Sequence, residues 1–488
     1  MYNVEKNQGL TQMNKSILKI VTFCVLLLLC QFTVAASSLE KVQPSIDRLI
    51  KNCDPNINVG IMVKSLNTGK IIYQKNADQL FMPASVLKIF PAAAALTSLG
   101  PNYVFQTKVL AQDVAVNQGT LNNDLYFYFD GDPTLTQQDI DNLITTVAQF
   151  GIHTINGNIY IDDTVFDQEV SGPGWMWDER NFCYAAPTSA IIIDKNCFSL
   201  QITTPQKPNK PATLTSNNYE KFISIINQVT SKQPGNGSCP FNLHATSDNV
   251  YRVNGCIAPN KTIGLSVAIR NVRLYTKNML LEKLREHNIR LLGEIKFKNT
   301  PTDTLLYALA EHKSKPLSEL LKTMLKKSDN SIADAVFKKI GYNYFHKTST
   351  WHSSAQAIAN ILASKTGISF KKMKIVDGSG LSRYSLVSPA QLVAVLRYAY
   401  TDKNINQAFT SSLSIAGADG TLKYRMPNLK NRVYAKTGNM EGISSLVGYI
   451  KTAHQGNLAF AITVNSFLNN NIKYRQLQDK ICTILANM

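Results

Sequence analysis

Apolar positions along this chain alternate between a helical and a strand period. Leu39 to Lys51 carries the helical spacing. Asn58 to Leu66 (NVGIMVKSL) and Lys70 to Lys75 (KIIYQK) read as two strands, joined by a hairpin turn at Asn67-Thr68-Gly69. A helix is expected from about Ser85 to Leu99. From Gln106 to about Lys298 the pattern breaks into short alternating strands (QTKVLAQ, DLYFYF, GNIYIDD), one helix over Gln137 to Phe150, and many Gly- and Pro-containing loops. Helical spacing returns over Leu305 to Ile340 and Ser353 to Lys365. Three further strands are expected at Arg432 to Lys436, Ser444 to Tyr449 and Leu458 to Val464. Tyr474, Leu477, Ile481, Ile484 and Leu485 then mark a closing helix, whose stripe suits packing on the protein's own sheet better than a membrane. The predicted architecture is α/β: a sheet built from both ends of the chain, 37–105 and 299–488, around an inserted, mostly β region of two small subdomains, 106–298.

The N-terminus changes the picture. Lys15 and Lys19 precede an apolar run from Ile20 to Cys30, and Thr33-Val34-Ala35-Ala36 follows with small residues, so 1–36 reads as a secretory signal. Met13 offers a second start. Leu29 argues against lipid attachment at Cys30, and no later segment reads as transmembrane. The expected location is the periplasm. Six cysteines remain after the signal, at spacings that fit neither zinc ligation nor a thioredoxin-type pair, which favours disulfides. Cys183 with Cys197 and Cys239 with Cys256 are the expected local pairs. Cys53 and Cys482 are candidates to join the two ends, although spacing leaves the connectivity open.

With 44% hydrophobic and 17% charged residues the chain can bury a core, and disorder is not indicated. The formal charge is +18. No basic run is interleaved with aromatics, so no nucleic-acid partner is expected. The charge fits a basic soluble surface or loose attraction to wall polymers, with at most peripheral membrane contact. The seven histidines show no HExxH-type spacing, so neither a metal nor a cofactor is implied.

Three tripeptide-scale motifs carry the chemistry. Ser85-Val86-Leu87-Lys88 opens the first long helix, and an i, i+3 spacing sets hydroxyl and amine on one face. Serine needs a neighbour to take its proton, and a lysine of lowered pKa can do so. Ser328-Asp329-Asn330 falls between two helical patterns and can offer a hydroxyl and a carboxamide, although its plain reading is a helix cap. Lys436-Thr437-Gly438 ends a predicted strand, where it suits a carboxylate lying along a sheet edge. Ser16/Lys19, Ser369/Lys372, Ser247-Asp248-Asn249 and Lys365-Thr366-Gly367 repeat the letters in unsuitable contexts. Each motif alone is weak; the ordered set S-x-x-K, S-x-N, K-T-G is specific.

With these motifs the chain resembles the class C low-molecular-mass penicillin-binding proteins, D-alanyl-D-alanine carboxypeptidases/endopeptidases of the penicillin-binding protein 4 type. Gly131-Asp132-Pro133-Thr134-Leu135, Asp377-Gly378-Ser379-Gly380-Leu381-Ser382-Arg383 and Ala416-Gly417-Ala418-Asp419-Gly420-Thr421-Leu422 add to the likeness, as does the long insert between Lys88 and Ser328. The resemblance implies a serine transpeptidase/β-lactamase-like fold. It implies cleavage of peptidoglycan stem peptides through an acyl-enzyme that β-lactams also form. On it, Ser85 is the nucleophile, Lys88 its base, and Ser328 the relay to the leaving amine. Asn330 binds the substrate backbone, Lys436, Thr437 and Gly438 the carboxylate, and the N–H groups of Ser85 and Asn439 the oxyanion. It also implies a side-chain subsite around Glu179 (or Asp178), Tyr184, Arg383 and Glu441. Two departures stand out. Asn439 replaces the usual hydroxyl residue, and Pro91 is expected to kink the nucleophile's helix just beyond Lys88. The alternatives are a β-lactamase, which would turn penicillin over rapidly, and a non-catalytic sensor or wall-binding module of the same fold.

Overall fold

The computed structural model describes residues 42–488 apart from 114, 218, 234–237 and 469; the expected signal over 1–36, with Cys24 and Cys30, lies outside them. The two ends of the chain meet in one sheet. Asn58–Ser65 pairs antiparallel with Asn457–Asn465 along its whole length, from Asn58 opposite Asn465 to Ser65 opposite Leu458. The full order is Ser414–Ile415, Val433–Met440, Ile443–Lys451, Asn457–Asn465, Asn58–Ser65 and Ile71–Lys75, every pair antiparallel. The central strands are buried at nearly every position because both faces are covered. On one face, Ile46 of the helix over 42–53 and Tyr474, Leu477, Ile481 and Leu485 of helix Ile472–Ala486 pack on Ile61, Phe460 and Ile462. On the other lie helices Ile89–Ser98, Leu317–Lys326, Asn330–Phe345, Trp351–Thr366 and Pro389–Thr401, which share a second core with Met62, Val447 and Ala461.

The region between has its own core. A five-stranded sheet runs Ile295–Phe297, Ile159–Asp162, Leu125–Phe129, Gln106–Ala111, Tyr307–Lys313, with helices Gln137–Gln149 and Val272–Glu286 and two three-stranded sheets. Tyr307–Lys313 corrects the helical expectation over that stretch. Its Ala, Leu and Glu favour helix, but antiparallel pairing with Gln106–Ala111 overrides propensity. That strand also carries the inserted sheet beyond residue 298. Lys436-Thr437-Gly438 does not end its strand, which continues to Met440 because Ile443–Lys451 pairs with it throughout. Cys183–Cys197 and Cys239–Cys256 are bonded. Cys53 and Cys482 are free thiols and do not join the chain ends; Cys482 is buried among apolar side chains on the inner face of the last helix.

Helix Asn330–Phe345 holds the insert through buried charge. Lys338 donates to Asp167 Oδ1 at 2.5 Å with no exposed side-chain surface, and the adjacent Lys339 bonds Asp130. Asp130 also accepts from the Tyr103 and Tyr128 hydroxyls at 3.2 and 3.3 Å. Removing one member of such a pair strands a buried charge. Asp130→Ala is therefore expected to cost about 3–5 kcal/mol of stability by chemical denaturation. A loss below about 1 kcal/mol, the size of an exposed pair, would contradict this packing.

Candidate active site

Ser85 stands in a 3₁₀ turn, Ala84–Lys88, that feeds the α-helix Ile89–Ser98. Three residues per turn eclipse positions i and i+3, so the turn stacks Ser85 over Lys88 and sets Lys88 Nζ 3.0 Å from Ser85 Oγ. The expected kink is instead this change of helix type. Pro91 is the third α-helical residue, where an N–H would have no partner within the helix, so its ring is accommodated. The turn is gripped from outside. A Cβ on Gly438 would lie 2.7 Å from Pro83 O and 3.2 Å from Ser85 N, and one on Gly380 would strike Ala84 O.

Lys88 is fully buried. Its Nζ also lies 2.7 Å from Asn330 Oδ1 and 2.7 Å from Ser379 O. Both of those oxygens can only accept. A neutral amine therefore gives them its two N–H groups and turns its lone pair to the Ser85 hydroxyl. Burial pushes the Lys88 pKa down to about 8, against the opposing pull of Asp334, Asp377 and Asp329. Asp334 is buried as well, which raises its carboxyl, and its Oδ1 accepts from the N–H groups of Gly378 and Ser379 at 2.8 Å each. Lys436 is equally enclosed. Burial, then the neighbouring Lys88, hold it well below the ordinary lysine range. Its Nζ donates to Ser328 Oγ at 2.9 Å and to Thr437 O at 2.6 Å, while Thr437 Oγ1 donates to Thr421 Oγ1 at 2.8 Å. The three motifs thus form one hydrogen-bonded group. Ser328 reaches Lys436 from a left-handed backbone, φ 60°.

The second set of residues lies nearby. Asn330 Nδ2 donates to the carbonyl of Tyr184 at 2.7 Å, and the exposed Tyr184 ring stacks on Phe182. Burial raises the Glu179 carboxyl; Arg383 opposes this, and Asp178 and Glu441 add to it. Glu179 Oε2 is buried with no hydrogen-bond partner, and Arg383 donates to the carbonyl of Glu441 at 2.9 Å. Asn439 is engaged differently: its Oδ1 accepts from Arg475 Nε and Asn471 Nδ2, each at 3.3 Å. Beside Ser328 and Asn330 opens a cavity of about 650 Å³, also lined by Tyr184 and Lys195. Among the described residues no three His, Cys, Asp or Glu side chains converge as metal ligands. Sequence reasoning missed the parts played by Ser379 and Thr421, although both lie in quoted stretches. It missed Asp334 outright, because one acid inside an amphipathic helix gives no signal.

Over residues 42–488 the sequence matches the D-Ala-D-Ala carboxypeptidase 3 (S13) family. The chain belongs to that family. It is 33% identical over 423 residues to the D-alanyl-D-alanine carboxypeptidase DacB of Haemophilus influenzae, covering 85% of this chain and 87% of that one. It is 30% identical over 450 residues to a D-alanyl-D-alanine carboxypeptidase of Actinomadura sp., covering 88% and 82%. The crystal structure of penicillin binding protein 4 from Haemophilus influenzae matches with a TM-score of 0.85 at 31% identity, over 91% of this chain and 99% of that one. A second structure of that protein, complexed with a β-lactam, matches at 0.80. The fold is that of penicillin-binding protein 4, and membership of S13 makes the chain a serine-type peptidase.

In this S13 chain the close approach of Gly438 to the turn that carries Ser85 makes a testable demand. Gly438→Ala must displace Ser85 by a fraction of an ångström or more, which is expected to slow labelling of Ser85 by a fluorescent penicillin about 100-fold. Labelling at the original rate would mean that the strand and the turn are not in contact.

Proposed function

We propose that this protein is exported to the periplasm, where it removes the terminal D-alanine of peptidoglycan stem peptides through an acyl-enzyme on Ser85, the hydroxyl that β-lactams acylate. The observation that carries this reading is the buried Lys88 amine, 3.0 Å from Ser85 Oγ with its other two contacts taken by acceptors. Neutral Lys88 takes the Ser85 proton as Oγ attacks the penultimate carbonyl. Ser328, bonded to Lys436, helps deliver that same proton from Lys88 to the departing amine as the C–N bond breaks, which leaves Lys88 neutral again. A water then attacks the ester as Lys88 accepts its proton, and Lys88 returns that proton to Ser85 Oγ as the ester C–O bond breaks and the shortened peptide is released. Asn330 meets the substrate backbone; Lys436, Thr437 and Gly438 line the terminal carboxylate; the N–H groups of Ser85 and Asn439 meet the oxyanion. Glu179, Tyr184, Arg383 and Glu441 surround the side chain of the stem peptide. The same steps serve a cross-linked peptide, whose leaving amine belongs to a second stem.

Two measurements test the reading. Intact mass after incubation with benzylpenicillin should show one adduct per chain, mapped to Ser85 and absent from Ser85→Ala. Drug left unhydrolysed with no adduct would sink the proposal. The pH dependence has a definite sign. The base must be neutral, so the acylation rate should rise with pH and level off above about 8, where burial places Lys88. A rate that is flat between pH 6 and 9 would exclude Lys88 as the base.

A further inference from the structure

The inserted region sends one cation to the Ser328 loop. Asp194, Lys195 and Asn196 are successive non-glycine residues with φ of 48°, 60° and 53°, a left-handed run that L-residues avoid. Surrounding bonds enforce it. Buried Asn196 accepts from Ile193 N at 3.1 Å and donates to the carbonyls of Pro187 and Ile191 at 3.0 Å each. Asp194 donates from its N–H to Leu135 O at 2.9 Å, and its Oδ2 accepts from the Tyr219 hydroxyl at 3.0 Å. The run forms a rigid spur with Lys195 at its tip.

Lys195 Nζ lies 2.5 Å from Asp329 Oδ2. The other oxygen of Asp329, Oδ1, caps the following helix by accepting from Ile332 N at 3.1 Å. Asp329 sits between Ser328 and Asn330, which contact Lys436 and Lys88. We propose that Lys195 is a positioning residue for acyl transfer: by clamping Asp329 from across the cavity, it holds the Ser328-Asp329-Asn330 loop in the turn that presents Ser328 and Asn330 to the two buried lysines. This rests on the acyl-enzyme reading above.

A surface ion pair with no such role would leave the chemistry untouched. A clamp has a further electrostatic consequence. The charged groups facing Lys88 are Asp334, Asp377, Asp329 and Lys436. Lys195 offsets one of the three carboxylates that favour protonated Lys88. Without it, Asp329 acts unopposed and Lys88 keeps its proton to higher pH.

The test is the pH profile of benzylpenicillin acylation for the full chain and three variants. Unmodified protein must form the Ser85 adduct; if it does not, the acyl-enzyme reading itself has failed. Given that adduct, Lys195→Gln should acylate about tenfold more slowly at pH 7, with the profile's midpoint moved to alkaline pH and the melting temperature little changed. Lys195→Arg should restore both rate and midpoint. An original rate, or an unmoved midpoint, in Lys195→Gln overturns the proposal. Should Lys195→Gln not fold, Asp329→Asn carries the test with the opposite sign. Its amide oxygen still caps Ile332 but the ion pair to Lys195 is lost, so acylation should again slow about tenfold while the midpoint moves to acid pH; an original rate there is equally fatal.

Discussion

Lys88 has no contact with solvent, yet it hydrogen-bonds three segments that lie far apart in the chain: the turn at Ser85, the loop at Asn330 and the loop at Ser379. A charged ammonium is costly in such a place, and that cost is what pushes the Lys88 pKa down to about 8, as its proposed role of base requires. Most of the site follows from keeping Lys88 enclosed and satisfied. The 3₁₀ turn aims it at Ser85, Gly380 lets the Ser379 loop close over the turn, and Gly438 lets the strand approach from the other side. Lys436, buried beside it, disfavours a second positive charge there.

The insert takes part in this enclosure. Asp167 and Asp130 anchor the helix that begins at Asn330, and Trp175 donates its indole N–H to Asp377 Oδ2 at 3.0 Å in the loop that carries Ser379. The edges of the site are thus set by pairs in which one partner comes from the insert and the other from the helical layer. A region with its own core thus helps to shape the surroundings of Ser85 and Lys88 without supplying either residue.

Much of this could be read from the residues. The strands over 58–65 and 71–75, the closing helix and the two local disulfides carry strong local signals: alternation or continuous apolar runs, a turn at Asn67-Thr68-Gly69, and close cysteine spacing. The three motifs were legible because order and context removed their decoys. What local pattern could not supply is long-range. Tyr307–Lys313 is a strand only because Gln106–Ala111 lies beside it. The continuation of the Lys436 strand to Met440 depends on its neighbour. The fit of Pro91 depends on the helix changing type one turn earlier. Asp334, Ser379 and Lys195 matter through partners distant in sequence, and their own neighbours give no hint of it.

The central claim is that Lys88 exchanges its proton far below the ordinary lysine range, and an NMR titration of lysines labelled with ¹³C at Cε addresses it directly. The resonance to follow is the one lost in Lys88→Arg. The account predicts a midpoint of about 8. A midpoint near 10.5, the value of a solvated lysine, would contradict it.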